Sequence, residues 1–379
     1  MISATRLQAA TAAVTVISNR VSVAGWALRY FGPWWNADVT DPDGVDADTD
    51  AVVVADLDHA RYEELAALIQ DGRRVDRVDY AKNPVLLASD GEDIIALSPD
   101  EGIAYRSTPL SGRVVLAGLD LEALALAASR VARESIRGQL LRDGWAVLHS
   151  SAVVRPSDGA TLLAFGDKGA GKTTTALLLA STGWQLLAND RVLVRPSGER
   201  DVEVVPWPSA AAVGLGLVKA LGWDVGAREQ QRAGGFHPTQ HPSVTEAVDA
   251  GDFTPLWEAG RKREKKLQVF PDQFPDLFGV QLATGGRAAG LLFPQVDPTA
   301  APDVVTGTRT LAEADFMSGQ TEDRYPDVFG LAQGIDGGGR ASARAEVASR
   351  LAGLPHRAVR LSHDVPASTA VLRKLAETI

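Results

Sequence analysis

The stretch Gly166-Asp167-Lys168-Gly169-Ala170-Gly171-Lys172-Thr173-Thr174, GDKGAGKTT in one-letter code, decides how this chain is read. A glycine, four residues, then Gly-Lys-Thr is the spacing of a phosphate-binding loop. Its flanks agree: TLLAFG (161–166) reads as a strand and KTTTALLLAST (172–182) as a helix, with Gly183 placed to end it. The chemistry follows from backbone geometry. Glycines let the chain wrap an anion so that successive N–H groups point inward, and the helix start adds partial positive charge. Lys172 is expected to reach the β and γ phosphates and Thr173 to ligate Mg²⁺. Every residue from Gly166 to Thr174 is therefore a candidate nucleotide contact. The guanine-reading pattern Asn-Lys-x-Asp occurs nowhere in the chain, which favours ATP over GTP.

The bulk composition narrows the classes. With 379 residues the chain is long enough for two domains. A hydrophobic fraction of 45% and a charged fraction of 23% are those of a soluble globular protein. A net charge of −10 gives no basic field for nucleic acid. The absence of Cys excludes disulfides, thiolate catalysis and cysteine-ligated metal, and fits a reducing compartment. No apolar run approaches the ~18 residues of a membrane span. The first residues, MISATRLQAATAAVTVISNR, lack the charged-then-apolar plan of a signal peptide. They read as a first strand or short helix of a cytoplasmic protein without membrane contact.

Residues 1–120 read as an α+β domain. SVAGWALRYFGPWW (22–35) suggests a helix ending near Gly32-Pro33, AVVVADLD (51–58) a strand and RYEELAALI (61–69) a helix. Short apolar runs between 75 and 118 then follow at the spacing of an antiparallel meander. LEALALAASRVARESIRGQLLRDG (121–144) is a long amphipathic helix, and the domain junction is placed at it, leaving 121–379 as the second domain. There AVLHSSAVV (146–154) is expected to be one strand in a hairpin with 161–166, which sets His149 opposite Gly166. The next strand, WQLLAN (184–189), carries Asn189 and Asp190 to its carboxyl end, the edge where ligands of open α/β sheets bind. VVVAD (52–56) also ends in an acid, but it precedes the loop and reads as a core strand.

HSSAVV, a short gap, then LLAFGDKGAGKTTTALLLASTGWQLLANDRV resemble the core of the HPr kinase/phosphorylase family. They look still more like its divergent HPr-kinase-like members, which include kinases of peptide biosynthesis. A related fold occurs in phosphoenolpyruvate carboxykinase. The match covers about residues 146–195. The resemblance implies an α/β P-loop kinase domain preceded by the α+β domain, and ATP with Mg²⁺. It implies transfer of the γ-phosphate to a hydroxyl: a serine of a protein or biosynthetic peptide, or a small hydroxylated metabolite. It also implies a homo-oligomer.

Carried over by position, Lys172 and Thr173 hold phosphates and metal, and His149 stands beside the transferring phosphate. The family's acidic pair falls on Asn189 and Asp190, with Asp190 on the metal. Asn189 departs from the pattern, because an amide cannot take a proton. Asp190 then does both jobs, or another residue is the base, or the loose transition state needs little base help. The family's later arginine-containing signature is not evident, which weighs against phosphorylase activity. The alternative reading is a nucleotide-switched ATPase that passes its phosphate to no acceptor.

Weaker signals have plainer readings. RKREKK (261–266) puts five basic residues in six, and three of the chain's eight Lys. It reads as a solvated strand start or as a cluster that closes over ATP phosphates. His237 and His241 in FHPTQHP are each followed by Pro and cannot share a helix face as a zinc pair would. DPDGVDADTD (41–50) lacks the Gly and Glu placement of a calcium loop. FGPWW (31–35) reads as a buried anchor or as a wall of the acceptor site. GLAQGIDGGGRASARAE (330–346) reads as a loop entering the C-terminal helix. The N-terminal unit, the basic cluster and this loop are expected to shape the acceptor site.

Overall fold

Period-two alternation in the first 118 residues builds one mixed sheet. In this computed structural model, which describes residues 2–46, 51–70, 74–258, 260, 264–317 and 325–379, its strands and helices follow in chain order. They are β1 (Ser3–Ala9), β2 (Ala12–Ser18), α1 (Val21–Phe31), β3 (Asp38–Thr40), β4 (Val52–Leu57), α2 (His59–Gln70), β5 (Asp76–Tyr80), β6 (Asn83–Asp90), β7 (Asp93–Ser98), β8 (Ile103–Thr108) and β9 (Arg113–Gly118). The order across the sheet is β3-β1-β2-β4-β9-β8-β7-β6-β5. The meander expected from 75 to 118 is present, each strand from β5 to β9 pairing antiparallel with the next. β4 alone runs parallel to both its neighbours, β2 and β9.

Alternate residues face different layers. Ala104 and Ala117 pack under α2 with Leu65, Ala66 and Ile69, whereas the ring of Tyr105 lies 5.1 Å from Phe329. The FGPWW cluster is an anchor: Phe31, Trp34 and Trp35 are buried, with Phe31 stacked on Trp35 at 5.2 Å. Of the Asp-rich loop 38–50, the last four residues lie outside the described ones.

The long helix α3 (Leu121–Arg142) starts where the Asp120 carboxylate accepts the Ala123 N–H, 2.9 Å away. It packs on α1, β2, β4 and β9. It therefore belongs to the first compact unit, which runs through Val147 and takes back Phe316–Arg344. The junction expected at 120/121 moves accordingly, because the buried face of α3 has its partners in the N-terminal sheet. In the returning segment the Phe329 carbonyl accepts the Ser107 hydroxyl at 2.7 Å. Arg137 and Arg142 donate to the carbonyls of Tyr325 and Leu331. The 330–346 stretch is thus packed chain, and it enters α9 (Ala341–Ala352), not the C-terminal helix.

The second unit joins Leu148–Asp315 to Ala345–Ile379. The run 146–154 is two strands, β10 (Ala146–Leu148) and β11 (Ser151–Val154), where one was expected. β11 and β12 (Ala160–Ala164) form the expected hairpin, from Val154↔Thr161 to Ser151↔Ala164. Pairing stops there because the Ser150 hydroxyl takes the Ala164 carbonyl at 3.1 Å. His149 sends its N–H instead to the Asp315 carbonyl, 2.7 Å away.

The remaining elements are α4 (Lys172–Ala180), β13 (Gln185–Ala188), β14 (Val192–Ser197), β15 (Asp201–Pro206), β16 (Ala211–Gly214), α5 (Leu215–Ala220), α6 (Asp224–Arg232), α7 (Pro242–Ala250), β17 (Leu256–Trp257), β18 (Glu264–Val269), α8 (Gln273–Phe278), β19 (Gly286–Val296) and β20 (Asp303–Val305). After α9 come β21 (His356–Leu361) and α10 (Val365–Ala376). Neighbouring strands run β14-β15-β19-β12-β11-β13, with β21 also on β19. The parallel set β12, β19 and β21 forms the centre, and α4 packs across β11, β12, β13 and β19. β16, β18 and β17 make a separate small sheet. Among the described residues, no helix is long and apolar enough to cross a membrane.

Two glycines test this packing in opposite directions. A Cβ on Gly138, inside α3, would collide with the Leu331 carbonyl, whereas one on Gly25, inside α1, would meet nothing within 4 Å. Gly138→Ala is expected to destabilise by about 1–3 kcal/mol through overpacking. Gly25→Ala is expected to stabilise by about 0.5–1 kcal/mol through helix propensity. Urea denaturation midpoints of the two variants check both signs.

Candidate functional site

Phe165 ends its strand by donating its N–H to the Leu292 carbonyl of β19 at 2.8 Å. The next six residues then turn into α4 through three glycines, Gly166, Gly169 and Gly171, with φ of +150°, +88° and +103°. At two of them no side chain fits. A Cβ on Gly166 would lie 2.8 Å from the Ala170 Cβ, and one on Gly171 would lie 2.9 Å from Val296. The turn is closed by Ala170 N–H on the Asp167 carbonyl at 3.1 Å. Asp167, Lys168 and Gly169 form its exposed tip, while Gly166, Ala170, Gly171, Thr173 and Thr174 are half-buried.

Lys172 is buried and folds back over the loop, donating to the carbonyls of Gly166 at 2.6 Å and Asp167 at 3.4 Å. Burial pushes its ammonium below the usual lysine value, and Lys266 adds to that, while Asp190, Asp167 and Asp315 oppose it. A phosphate entering the loop offers the ammonium a charged acceptor in place of two carbonyls.

The strand expected to follow the helix, β13, lies beyond β11 in the sheet, not directly beside β12. Its end is nevertheless tied to the loop. The Asn189 carbonyl accepts the Thr173 hydroxyl at 3.2 Å and the Ser151 hydroxyl at 2.5 Å. The Asn189 side chain is buried, and its Oδ1 accepts from the Ser209 hydroxyl at 3.3 Å. One residue on, Asp190 Oδ1 lies 3.0 Å from His149 Nε2, and Oδ2 lies 3.0 Å from the Arg191 guanidinium. Burial pushes the Asp190 carboxyl up, but the His149 hydrogen bond, Arg191 and Lys172 together hold it well below the usual carboxylate range.

His149 and Asp190 are therefore in direct contact, although the strand pairing expected to place His149 opposite Gly166 ends two residues short of it. Asn189 contributes its backbone carbonyl and a hydrogen-bonded amide. Thr173 and Asp190 come together through that carbonyl. One hydroxyl and one carboxylate is a donor set that Mg²⁺ accepts when phosphates and waters complete the shell, so these residues fit that ion. Among the described residues there is no cluster of three or more His, Asp or Glu that could hold a metal by itself.

Sequence reading missed Arg191, Ser151 and Ser209, which hold Asp190 and Asn189. Arg191 stood in plain view as the neighbour of Asp190, and the two serines carry no local signal. Of the basic cluster, Arg261, Lys262 and Arg263 lie outside the described residues, and Lys266 is close enough for its charge to act on Lys172.

No protein-family model matches the chain, and no curated protein does. Among solved structures the chain is similar to the Hpr(Ser) kinase/phosphatase from Coxiella burnetii, at 11% identity over 61% of this chain and 91% of that one, with a TM-score of 0.25. At that score the likeness carries no weight for fold or function.

The Asp190 ion pairs make a pH prediction. A carboxyl held low in the folded state stabilises the fold fully above the unfolded value, near about pH 4. It loses that contribution as pH falls toward the folded value. The gap in urea midpoint between the wild type and Asp190→Asn should shrink as pH falls below about pH 4. A gap that stays constant or widens down to pH 3 would contradict the assignment.

Proposed function

We propose that this chain is an ATP- and Mg²⁺-dependent kinase that transfers the γ-phosphate to a hydroxyl. The acceptor is a serine of a protein or biosynthetic peptide, or a small hydroxylated metabolite. The observation that supports this best is the His149–Asp190 contact of 3.0 Å beside a glycine loop that turns directly into a helix at Lys172. A binding-only loop needs no histidine–carboxylate pair beside it.

In this reading the loop N–H groups and the α4 start hold the phosphates. Lys172 leaves the Gly166 and Asp167 carbonyls for the β and γ phosphates, and its charge offsets what builds up on the leaving group. Thr173 and Asp190 hold Mg²⁺, which neutralises phosphate charge when bound. Asp190, kept ionised by Arg191 and His149, also fixes the histidine ring, so that His149 stands where the acceptor hydroxyl approaches. As the O–P bond to the acceptor forms and the bond to ADP breaks, the hydroxyl proton leaves to a nearby base or to water. A loose transition state asks little of that base. Asn189, with no carboxylate, is the observation that favours the second reading, a nucleotide-switched ATPase.

Incubation with ATP, Mg²⁺ and candidate acceptors, followed by mass, separates the two. Lys172→Ala should lower turnover by about 10²-fold or more. Asp190→Ala should lose turnover and keep ATP binding. ADP appearing with free phosphate alone, whatever the acceptor, favours the ATPase reading. Unchanged turnover in Asp190→Ala removes that residue from the mechanism.

A further inference from the structure

A second charge pair lies beside the loop and has no part in the roles above. Arg309 grips Asp315 with both ends of its fork: Nη1 to Oδ2 and Nη2 to Oδ1, each 2.6 Å. Asp315 is buried and also accepts the Ala312 N–H at 2.8 Å. Its own carbonyl holds the His149 N–H. Arg309 is less enclosed, its side chain 43% exposed, and its guanidinium rests over the Phe293 ring at 5.3 Å.

That ring is part of the loop's support. Phe293 follows Leu292, whose carbonyl ends the strand into the loop, and lies 6.2 Å from the Phe165 ring. Further along the strand, Val296 crowds Gly171, and Pro294 lies in van der Waals reach of Gly166 and Gly171. The charge of Asp167 at the loop tip reaches Arg309, and the charge of Asp315 reaches Lys172. A guanidinium carries five N–H donors. Asp315 and the Thr310 carbonyl use three of them, which leaves Nε and one Nη2 proton without a partner among the described residues.

We propose that Arg309 is a phosphate-binding residue of this site, fixed by Asp315 and Phe293 so that its two remaining donors take the terminal phosphate of a bound nucleoside triphosphate. The proposal rests on the nucleotide reading above and goes beyond it. Asp315 is the positioning residue. Stripping a buried carboxylate of its partner is costly, so Arg309 bridges Asp315 and the phosphate and does not swap one for the other. The ring lies under the guanidinium and favours its place by a cation–π contact. Lysine in the same place keeps the charge and loses the bidentate grip that holds it.

The test is calorimetric binding of the triphosphate analogue AMP-PNP and of ADP, both with Mg²⁺, to the full chain, with melting temperature as the control for folding. Arg309→Ala should weaken AMP-PNP by about 10-fold or more and leave ADP within about twofold. Arg309→Lys and Asp315→Asn should fall between, with the triphosphate-to-diphosphate ratio again reduced. A purely structural role would weaken both nucleotides together. An unchanged ratio in Arg309→Lys, a variant that keeps the charge, overturns the proposal even if Arg309→Ala fails to fold. Equal losses for AMP-PNP and ADP overturn it as well. Wild-type protein that binds neither nucleotide is a different failure: it removes the nucleotide reading itself, and this proposal with it.

Discussion

The Asn189 carbonyl is the tie on which the site depends. Two hydroxyls converge on it, Thr173 from the first turn of α4 and Ser151 from the start of β11. β13 is not the neighbour of β12: β11 stands between them, pairing Ala152 with Ala188 on one side and Leu163 on the other, so the sheet leaves the end of β13 one strand away from the strand that enters the glycine loop. The two hydroxyl bonds close the remaining gap and tie down the residue before Asp190. The site is thus held by a backbone oxygen of the residue whose side chain departs from the expected acidic pair. The Asn189 amide is not idle space either, since it is buried and bonded to Ser209.

Charge around the loop is arranged in opposition. Three carboxylates, Asp190, Asp167 and Asp315, act on Lys172, and Lys266 acts against them. Lys172 is kept from solvent by the carbonyls of its own loop. The three carboxylates favour the charged ammonium against its burial, and each carbonyl bond is weaker than the charged contact an anion offers. Arg309 and Arg191 are each clamped by one carboxylate, so the cations of the region are positioned before any ligand arrives. Preorganised charge of this kind is what phosphoryl transfer draws on most.

The first unit shows how far a linear reading goes. Its meander, helices and aromatic anchor could be read from alternation and spacing. Its last piece could not. Phe316–Arg344 follows the second unit in sequence and yet packs in the first, where Phe329 meets Tyr80 and Tyr105 at 5.3 and 5.1 Å. Glycines that looked like loop punctuation have packing roles there. Gly330, at φ +68°, leaves no room for a side chain beside Pro109, and Gly339 none beside the Trp145 carbonyl.

By itself the sequence determined the local parts of this protein: the loop that must turn through left-handed glycines, the helix it enters, and the hairpin register that pairs Ser151 with Ala164. Each depends on neighbours within a few residues, or on a two-residue period that a chain shows directly. Tertiary structure alone decided the rest. It broke the strand at His149, swung that residue onto Asp190, and set Arg309 and Asp315 beside a loop that ends well over a hundred residues earlier in the chain. Such contacts are made by side chains brought together from distant segments, and neither residue type nor spacing encodes which of the many candidate partners will meet.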